Sequence, residues 1–116
     1  MKTSELTGAA LDWAVANLEN VPVNAPGYLW GVGQFNHRYS TDWAQGGPII
    51  EREKLDLFTE KGTPESWVAS IARYQNGERL TGWRIHQYGP TPPIAAMRCY
   101  VASKLGDEIE IPEELK

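Results

Sequence analysis

The side chains best suited to recognise a ligand lie close together near the middle of the chain, and all of them are polar or aromatic. They are Tyr39, Ser40, Thr41, Asp42, Trp43 and Gln45. An indole ring offers a stacking face, and hydroxyls with a carboxylate offer directional hydrogen bonds, which suits a nucleobase or a sugar. The same residues are typical of an ordinary turn, in which Ser, Thr and Asp bond to nearby backbone amides and Trp anchors the loop. Both interpretations fit the pattern.

Two residues of the last predicted helix add a possible site for a negatively charged group. Thr91 stands at the start of that helix, where free backbone N–H groups favour anions. Arg98 stands at the margin of the helix's apolar stripe, from which its guanidinium could reach a cleft and clamp a phosphate or carboxylate. The alternative for Arg98 is a surface ion pair with an acidic neighbour such as Asp42 or Glu51.

Signals for catalysis, metals and cofactors are weak. Gly46-Gly47-Pro48 is predicted to be a turn, because no lysine follows the glycines at phosphate-loop spacing. The two histidines and the single cysteine, Cys99, lack zinc-ligand spacing, and Cys99 is expected to be a small core residue. We therefore predict no metal and no cofactor. Glu51 and Glu53 could act with Asp42 in acid–base chemistry, although nothing in the spacing places them on one face.

Composition limits the class of protein. The chain has 116 residues, a net charge of −4 and an isoelectric point near 5.1, which disfavours general nucleic-acid binding. One cysteine rules out an internal disulfide framework, and no apolar run approaches the ~20 residues of a membrane span. No secretory signal is visible, so the expected location is the cytoplasm.

The elements that would position these residues follow from hydrophobic period and turn residues. An early helix carries Leu6, Leu11, Val15 and Leu18 on one stripe, and the last helix runs from the Thr91 cap to Gly106. Residues 49–58 fit either broken strands or one short helix, and the alternation of Leu55 and Leu57 favours a strand at 55–58. Strands are also predicted at 67–73 and 83–88, with a hairpin turn at 76–77 and a further turn at 62–64. Residues 28–39 fit either a bulged strand or a loop. The prediction is an α+β fold, two helices on a small, mostly antiparallel sheet, with one domain at 1–106 and a short acidic tail at 107–116.

Three blocks of the chain resemble the NinX-like proteins of lambdoid phages and prophages. They read SELTGAALDWAVA at 4–16, YSTDWAQGGPIIERE at 39–53 and GPTPPIAAMRCYVASKLGD at 89–107. The resemblance spans both ends and the middle of the chain, and it implies a phage gene product that acts inside a bacterium. The family supplies no catalytic residues. It implies accessory roles, such as modulating replication or recombination or blocking a host defence.

The leading functional hypothesis is a non-catalytic protein that binds a small polar, nucleotide-like ligand, with host defence signalling as its target. Trp43 would stack, Asp42, Ser40 and Thr41 would form hydrogen bonds, and Arg98 would hold an anionic group. A homo-oligomer is expected, because a small domain gains buried area from a second copy. One alternative is a modulator of a host or phage protein that uses exposed aromatics around Trp30, Phe35 and Trp83 together with the acidic tail. The other is a hydrolase of nucleotide signals.

Overall fold

The architecture comes from a computed structural model that describes residues 1–23, 37–62, 66–75 and 78–115, with the backbone alone at 73–75, 78–83 and 114. Along the chain the main elements are α1 (Gly8–Leu18), α2 (Trp43–Glu53), β1 (Asp56–Thr59), β2 (Trp67–Gln75), β3 (Glu78–Gly89) and α3 (Pro92–Leu105). The predicted α+β class is confirmed, with one helix more than expected among the described residues. The predicted turn at 76–77, most of that at 62–64, and the aromatics Trp30, Phe35 and Trp83 lie outside the residues or side chains described.

The early helix forms as α1 and buries one complete face. Thr7 occupies the N-cap position with an extended backbone, although its side chain makes no capping hydrogen bond. Leu11, Ala14 and Val15 are fully buried, so the predicted apolar stripe is the core-facing surface.

The helix α2 corrects the prediction of a turn at Gly46-Gly47-Pro48, because these three residues lie inside the helix. Glycine and proline disfavour helix interiors, yet tertiary contacts prevail here. Asp42 caps the helix by accepting the Ala44 N–H at 2.9 Å, and Ile49 is only 2% exposed. A Cβ at Gly46 would overlap the carbonyl oxygen of Tyr39, so this glycine permits the close approach of the preceding loop.

Within the described residues the strands form a three-stranded antiparallel sheet in the order β1-β2-β3. All three strands overlap the predicted ones. Leu57 pairs with Ala69, and Ala69 with Gln87, on the face that meets the helices. Phe58 and Tyr88 flank Val68 on the opposite face, because side chains alternate along a strand.

The helix α3 forms the centre of the core, and its predicted capping pattern is confirmed. The Thr91 hydroxyl accepts the Ile94 N–H at 3.4 Å, Pro92 begins the helix, and Gly106 follows its end with a φ of 87°. Ala95 packs directly against Gly89 of the sheet, where a Cβ at Gly89 would lie 2.6 Å from the Ala95 nitrogen. The core therefore lies between α3 and the sheet, with α1 and α2 also packed on α3.

The residues after Gly106 pack on the domain through the N-terminal strand-like segment. The Thr3 N–H donates to the Asp107 carbonyl at 2.7 Å, and the Ile109 N–H donates to the Met1 carbonyl at 3.0 Å. Ile111 is 5% exposed and belongs to the core cluster. The segment assigned from the sequence to an acidic tail thus contributes apolar burial to the fold.

Candidate functional site

A cleft of about 610 Å³ lies between the C-terminal ends of α2 and α3 and the β2–β3 part of the sheet. Its lining consists of Arg52, Glu53, Lys54, Ile71, Ala72, Ile85, Ser103 and Lys104. Ile71 and Ile85 are direct cross-strand partners, so their side chains lie side by side as an apolar floor. A volume of this size suits a small organic ligand.

The rim of the cleft is cationic, although the chain as a whole carries a net charge of −4. Arg52, Lys54 and Lys104 contribute three positive charges, and Glu53 contributes the one carboxylate among the lining residues described. The three cations differ in how fully they are already paired, and that difference decides which of them can meet a ligand.

Arg52 is held in place by its own protein partners. Its Nη1 and Nη2 donate to the two carboxylate oxygens of Glu19 at 2.9 and 2.8 Å, and its Nε donates to Glu53 at 2.9 Å. The Tyr100 hydroxyl donates to Glu19 at 2.6 Å and accepts from Arg52 at 3.1 Å. Hydrogen bonding from Arg52 lowers the pKa of Glu19, whereas burial is the main reason that the pKa of Tyr100 is raised. Arg52 therefore links the end of α1 to α2 and α3 and has little capacity left for a ligand.

The two lysines are much less constrained. The Lys104 Nζ lies 3.5 Å from a Glu53 oxygen, which is longer than an ordinary hydrogen bond. Lys54 is exposed, and its side chain makes neither a hydrogen bond nor an ion pair within the part of the chain that the structure describes. These two ammonium groups are the cations of the cleft that can meet an anion.

Lys54 also has an unusual backbone. It follows the last residue of α2 in the left-handed conformation, with φ 55° and ψ 47°. Glycine is the residue that most often ends a helix in this way, and a side chain there costs about 1 kcal/mol or more. Strained conformations of this kind are concentrated at functional sites. The lysine thus occupies a position where the fold alone would favour glycine.

The sequence-predicted residues and the cleft lie at opposite ends of α2. Gly46 lies beside Met97, and Glu53 pairs with Lys104, so α2 and α3 run in the same direction. Asp42 and Thr91, which cap the two helices, therefore lie towards one end of the pair, and the cleft lies at the other.

The predicted polar loop is largely committed to local bonds. Besides capping α2, the Asp42 carboxylate accepts from the Gln45 side chain at 3.2 Å, and the Gln45 amide oxygen accepts the Arg38 N–H at 2.8 Å. Ser40 is 1% exposed, Tyr39 is half-buried, and its ring stacks on His37 with centroids 5.7 Å apart. Thr41 is exposed, and Trp43 is 54% exposed. Of the predicted set, Trp43 and Thr41 are thus the side chains most open to solvent.

Arg98 does not occupy the position that the helical pattern led us to expect. It is 2% exposed, and its guanidinium donates to the carbonyl of Leu6 at 2.8 Å and to that of Tyr88 at 2.7 Å. It therefore points into the core, where it ties the N-terminal segment and the end of β3 to α3. Thr91 caps α3 with its hydroxyl and is itself exposed.

Sequence reasoning missed one buried ionisable group, Asp12 of α1. It is 6% exposed, and its carboxylate accepts the Ser40 N–H at 2.8 Å, which holds the loop before α2 against α1. Burial raises its pKa, and hydrogen bonding from Ser40 with the charge of Arg38 works in the opposite direction. The one sign of this burial in the sequence is that Asp12 lies among the apolar residues of α1.

Burial also raises the pKa of the Cys99 thiol to about 12, so this cysteine is a core residue and a poor nucleophile.

Comparison with known proteins gives one family. The family model described as Bacteriophage P22, NinX matches residues 2–104, which include every described strand and α-helix apart from the last residue of α3. No curated protein matches the chain. None of the described helices has the length and apolar character needed to cross a membrane.

Proposed function

The chain belongs to the bacteriophage P22 NinX family, and from this premise we propose that it is a phage accessory protein that binds a small nucleotide-like anion in the cleft between α2, α3 and the sheet. The observation that carries the proposal is Lys54, an unpaired cation within the described structure, held on a strained backbone at the rim of the cleft. This is a binding role, and the groups that line the cleft support it better than they support turnover.

The cationic rim supports an anionic ligand. A phosphate beside Lys54 and Lys104 would gain two charge-assisted hydrogen bonds without breaking the Arg52 network, because Arg52 is already paired with Glu19 and Glu53. The Glu53 carboxylate, which contacts Arg52 and Lys104, keeps the rim from being uniformly positive. A monophosphate is therefore a better match than a highly charged polyphosphate.

The floor supports an organic group attached to that phosphate. Ile71, Ala72 and Ile85 present apolar surface in a cleft of about 610 Å³, more room than a free phosphate needs. A flat base could pack on the paired isoleucines while its phosphate meets the lysines at the rim. A nucleoside monophosphate combines both features.

The polar groups of the lining are engaged in ways that favour binding over chemistry. The Ser103 hydroxyl donates to the Tyr100 carbonyl at 2.7 Å, and Glu53 is held as an ion-pair partner. In a phage protein, tight binding of a nucleotide without turnover would remove a signal molecule from the host. Countering a nucleotide-based host defence is the role we propose for it.

Calorimetric titration tests the proposal with probes that separate the two halves of the ligand. Adenosine 5′-monophosphate should bind more tightly than either adenosine or inorganic phosphate, and the other nucleoside monophosphates should be compared under the same conditions. Lys54→Ala should weaken binding by about fivefold, the equivalent of about 1 kcal/mol for one solvent-screened charge contact. Lys61→Ala removes the same charge from an exposed position outside the cleft and should leave the affinity unchanged.

Trp43→Ala distinguishes the cleft from the loop predicted by the sequence. If the ligand lies in the cleft, this variant binds as the wild type does. Loss of binding in Trp43→Ala with normal binding in Lys54→Ala would place the ligand at the loop and overturn the assignment. An absence of heat with every probe at about 1 mM, close to the weakest affinity of a specific site, would overturn ligand binding of this class.

A further inference from the structure

The outward side of α2 carries a large exposed ring beside a flat surface. Trp43, Gly47 and Glu51 are spaced four residues apart and share this side, with Ala44 and Pro48 next to them. We call these five residues the α2 outer face. Trp43 is 54% exposed, whereas Trp13 of α1 is 9% exposed. An indole left in water next to small apolar side chains is a common mark of a contact surface.

Gly47 gives a second, independent observation. Glycine inside a helix costs about 0.5–1 kcal/mol relative to alanine. The neighbouring Gly46 is required by the close approach of Tyr39, but a Cβ at Gly47 would meet no atom of the described residues within 4 Å. Packing among the described residues therefore gives no reason for a glycine at position 47. A group that approaches from outside the molecule would give one.

The α2 outer face fits a copy of itself. If two α2 helices pack antiparallel about a twofold axis between positions 45 and 46, Trp43 of each copy lies opposite Pro48 of the other. Ala44 then lies opposite Gly47, so each indole covers the flat surface of the second copy. A twofold contact requires this kind of self-complementarity, in which a projection and its matching surface occur on the same patch.

The charges agree with the same arrangement. Glu51 is exposed near the end of α2, and Arg38 is exposed one turn before its start, where its carbonyl accepts the N–H groups of Thr41 and Asp42. About this axis Glu51 of each copy lies opposite position 40 of the other, two residues after the exposed Arg38, and the antiparallel arrangement opposes the two helix dipoles. We propose that the α2 outer face is the dimerisation surface of the protein and that its occupant is a second copy of the chain. This proposal is independent of ligand binding in the cleft.

Sedimentation velocity from about 10 μM to about 1 mM tests this directly, since a contact of about three helical turns is small and its dimer should be weak. The wild type should shift from monomer to dimer as concentration rises. Gly47→Leu should remain monomeric over that range, with its dissociation constant raised at least about tenfold, the effect of about 1.4 kcal/mol. Circular dichroism checks that Gly47→Leu folds. If it does not, Trp43→Ala replaces it in the experiment and should also remain monomeric. Phe58→Ala, which removes an exposed ring from the sheet, is the matched control and should dimerise normally.

A charge exchange separates a specific contact from general stickiness. Glu51→Arg alone should weaken the dimer by repulsion from Arg38, and the double variant Arg38→Glu with Glu51→Arg should restore it. A wild type that stays monomeric at about 1 mM would overturn the proposal. So would a folded Gly47→Leu that dimerises as the wild type does, or a dimer that is insensitive to the charge exchange.

Discussion

Lys54→Gly should make the protein more stable and a weaker ligand binder. Lys54 ends α2 with φ 55° and ψ 47°, a conformation that a side chain disfavours and glycine adopts freely. Removing the side chain relieves about 1 kcal/mol of backbone strain. Because the Lys54 side chain has no hydrogen-bond or ion-pair partner within the described structure, the change breaks no polar contact, and the backbone N–H can still donate to Glu51. The same change removes the least constrained cation of the cleft.

The stability change corresponds to a rise in melting temperature of about 3–5 °C for a domain of this size. Thermal unfolding followed by circular dichroism measures it, and titration with adenosine 5′-monophosphate measures binding in the same samples. The affinity should fall by about fivefold, as for Lys54→Ala.

Two variants show which part of the residue causes which effect. Lys54→Asn keeps a side chain that tolerates the left-handed conformation, so it should be intermediate in stability and as poor as Lys54→Gly in binding. Lys54→Ala should lose affinity without the gain in stability. If Lys54→Gly lowered the melting temperature, or bound as well as the wild type, the assignment of Lys54 as a strained ligand-binding residue would be refuted.

Three further substitutions test the fold around the site by chemical and thermal denaturation. Burial raises the pKa of Asp12, so the wild-type protein loses stability as the pH rises from 3.8 through the folded-state pKa and the buried carboxyl ionises. Asp12→Asn cannot ionise, so its free energy of unfolding relative to the wild type should increase over the same pH range. Gly46→Ala should destabilise the fold by about 1–3 kcal/mol, because the new Cβ overlaps the Tyr39 carbonyl. Gly47→Ala should stabilise the monomer by about 0.5–1 kcal/mol, because alanine favours the helix and its Cβ meets no atom of the described residues. Arg98→Met should cost about 2–4 kcal/mol, because two backbone carbonyls lose buried charged donors, and an unchanged denaturation midpoint would contradict its structural role.

Local chemistry was enough to predict α3 and the sheet. Thr91, Pro92 and Gly106 mark the helix ends by mechanisms that act within a few residues, and the observed caps follow them. The strands β2 and β3 contain the residues 67–73 and 83–88 that were predicted as strands, although β3 begins earlier, at Glu78. These elements needed no knowledge of distant contacts.

The helix α2 and the cleft could not be predicted in that way. Two glycines and Pro48 make the sequence of α2 look unlike a helix. The contacts that nevertheless favour the helix, such as Gly46 against Tyr39 and Ile49 in the core, join separate parts of the chain and leave no local pattern. The cleft depends on the parallel packing of α2 and α3, which brings 52–54 beside 103–104. No motif in the sequence records that packing, so the sequence does not single out Lys54. The helical spacing predicts Arg98 at the margin of the apolar stripe, whereas the side chain is only 2% exposed.

The most direct test of ligand binding in the cleft is a ¹H–¹⁵N NMR titration of the protein with adenosine 5′-monophosphate. Binding in the cleft should shift the amide signals of Lys54, Ile71, Ile85, Ser103 and Lys104 most strongly. The amides of Thr41 to Trp43, at the other end of α2, should shift little. Shifts centred on Thr41 to Trp43, or spectra unchanged at saturating nucleotide, would contradict the account.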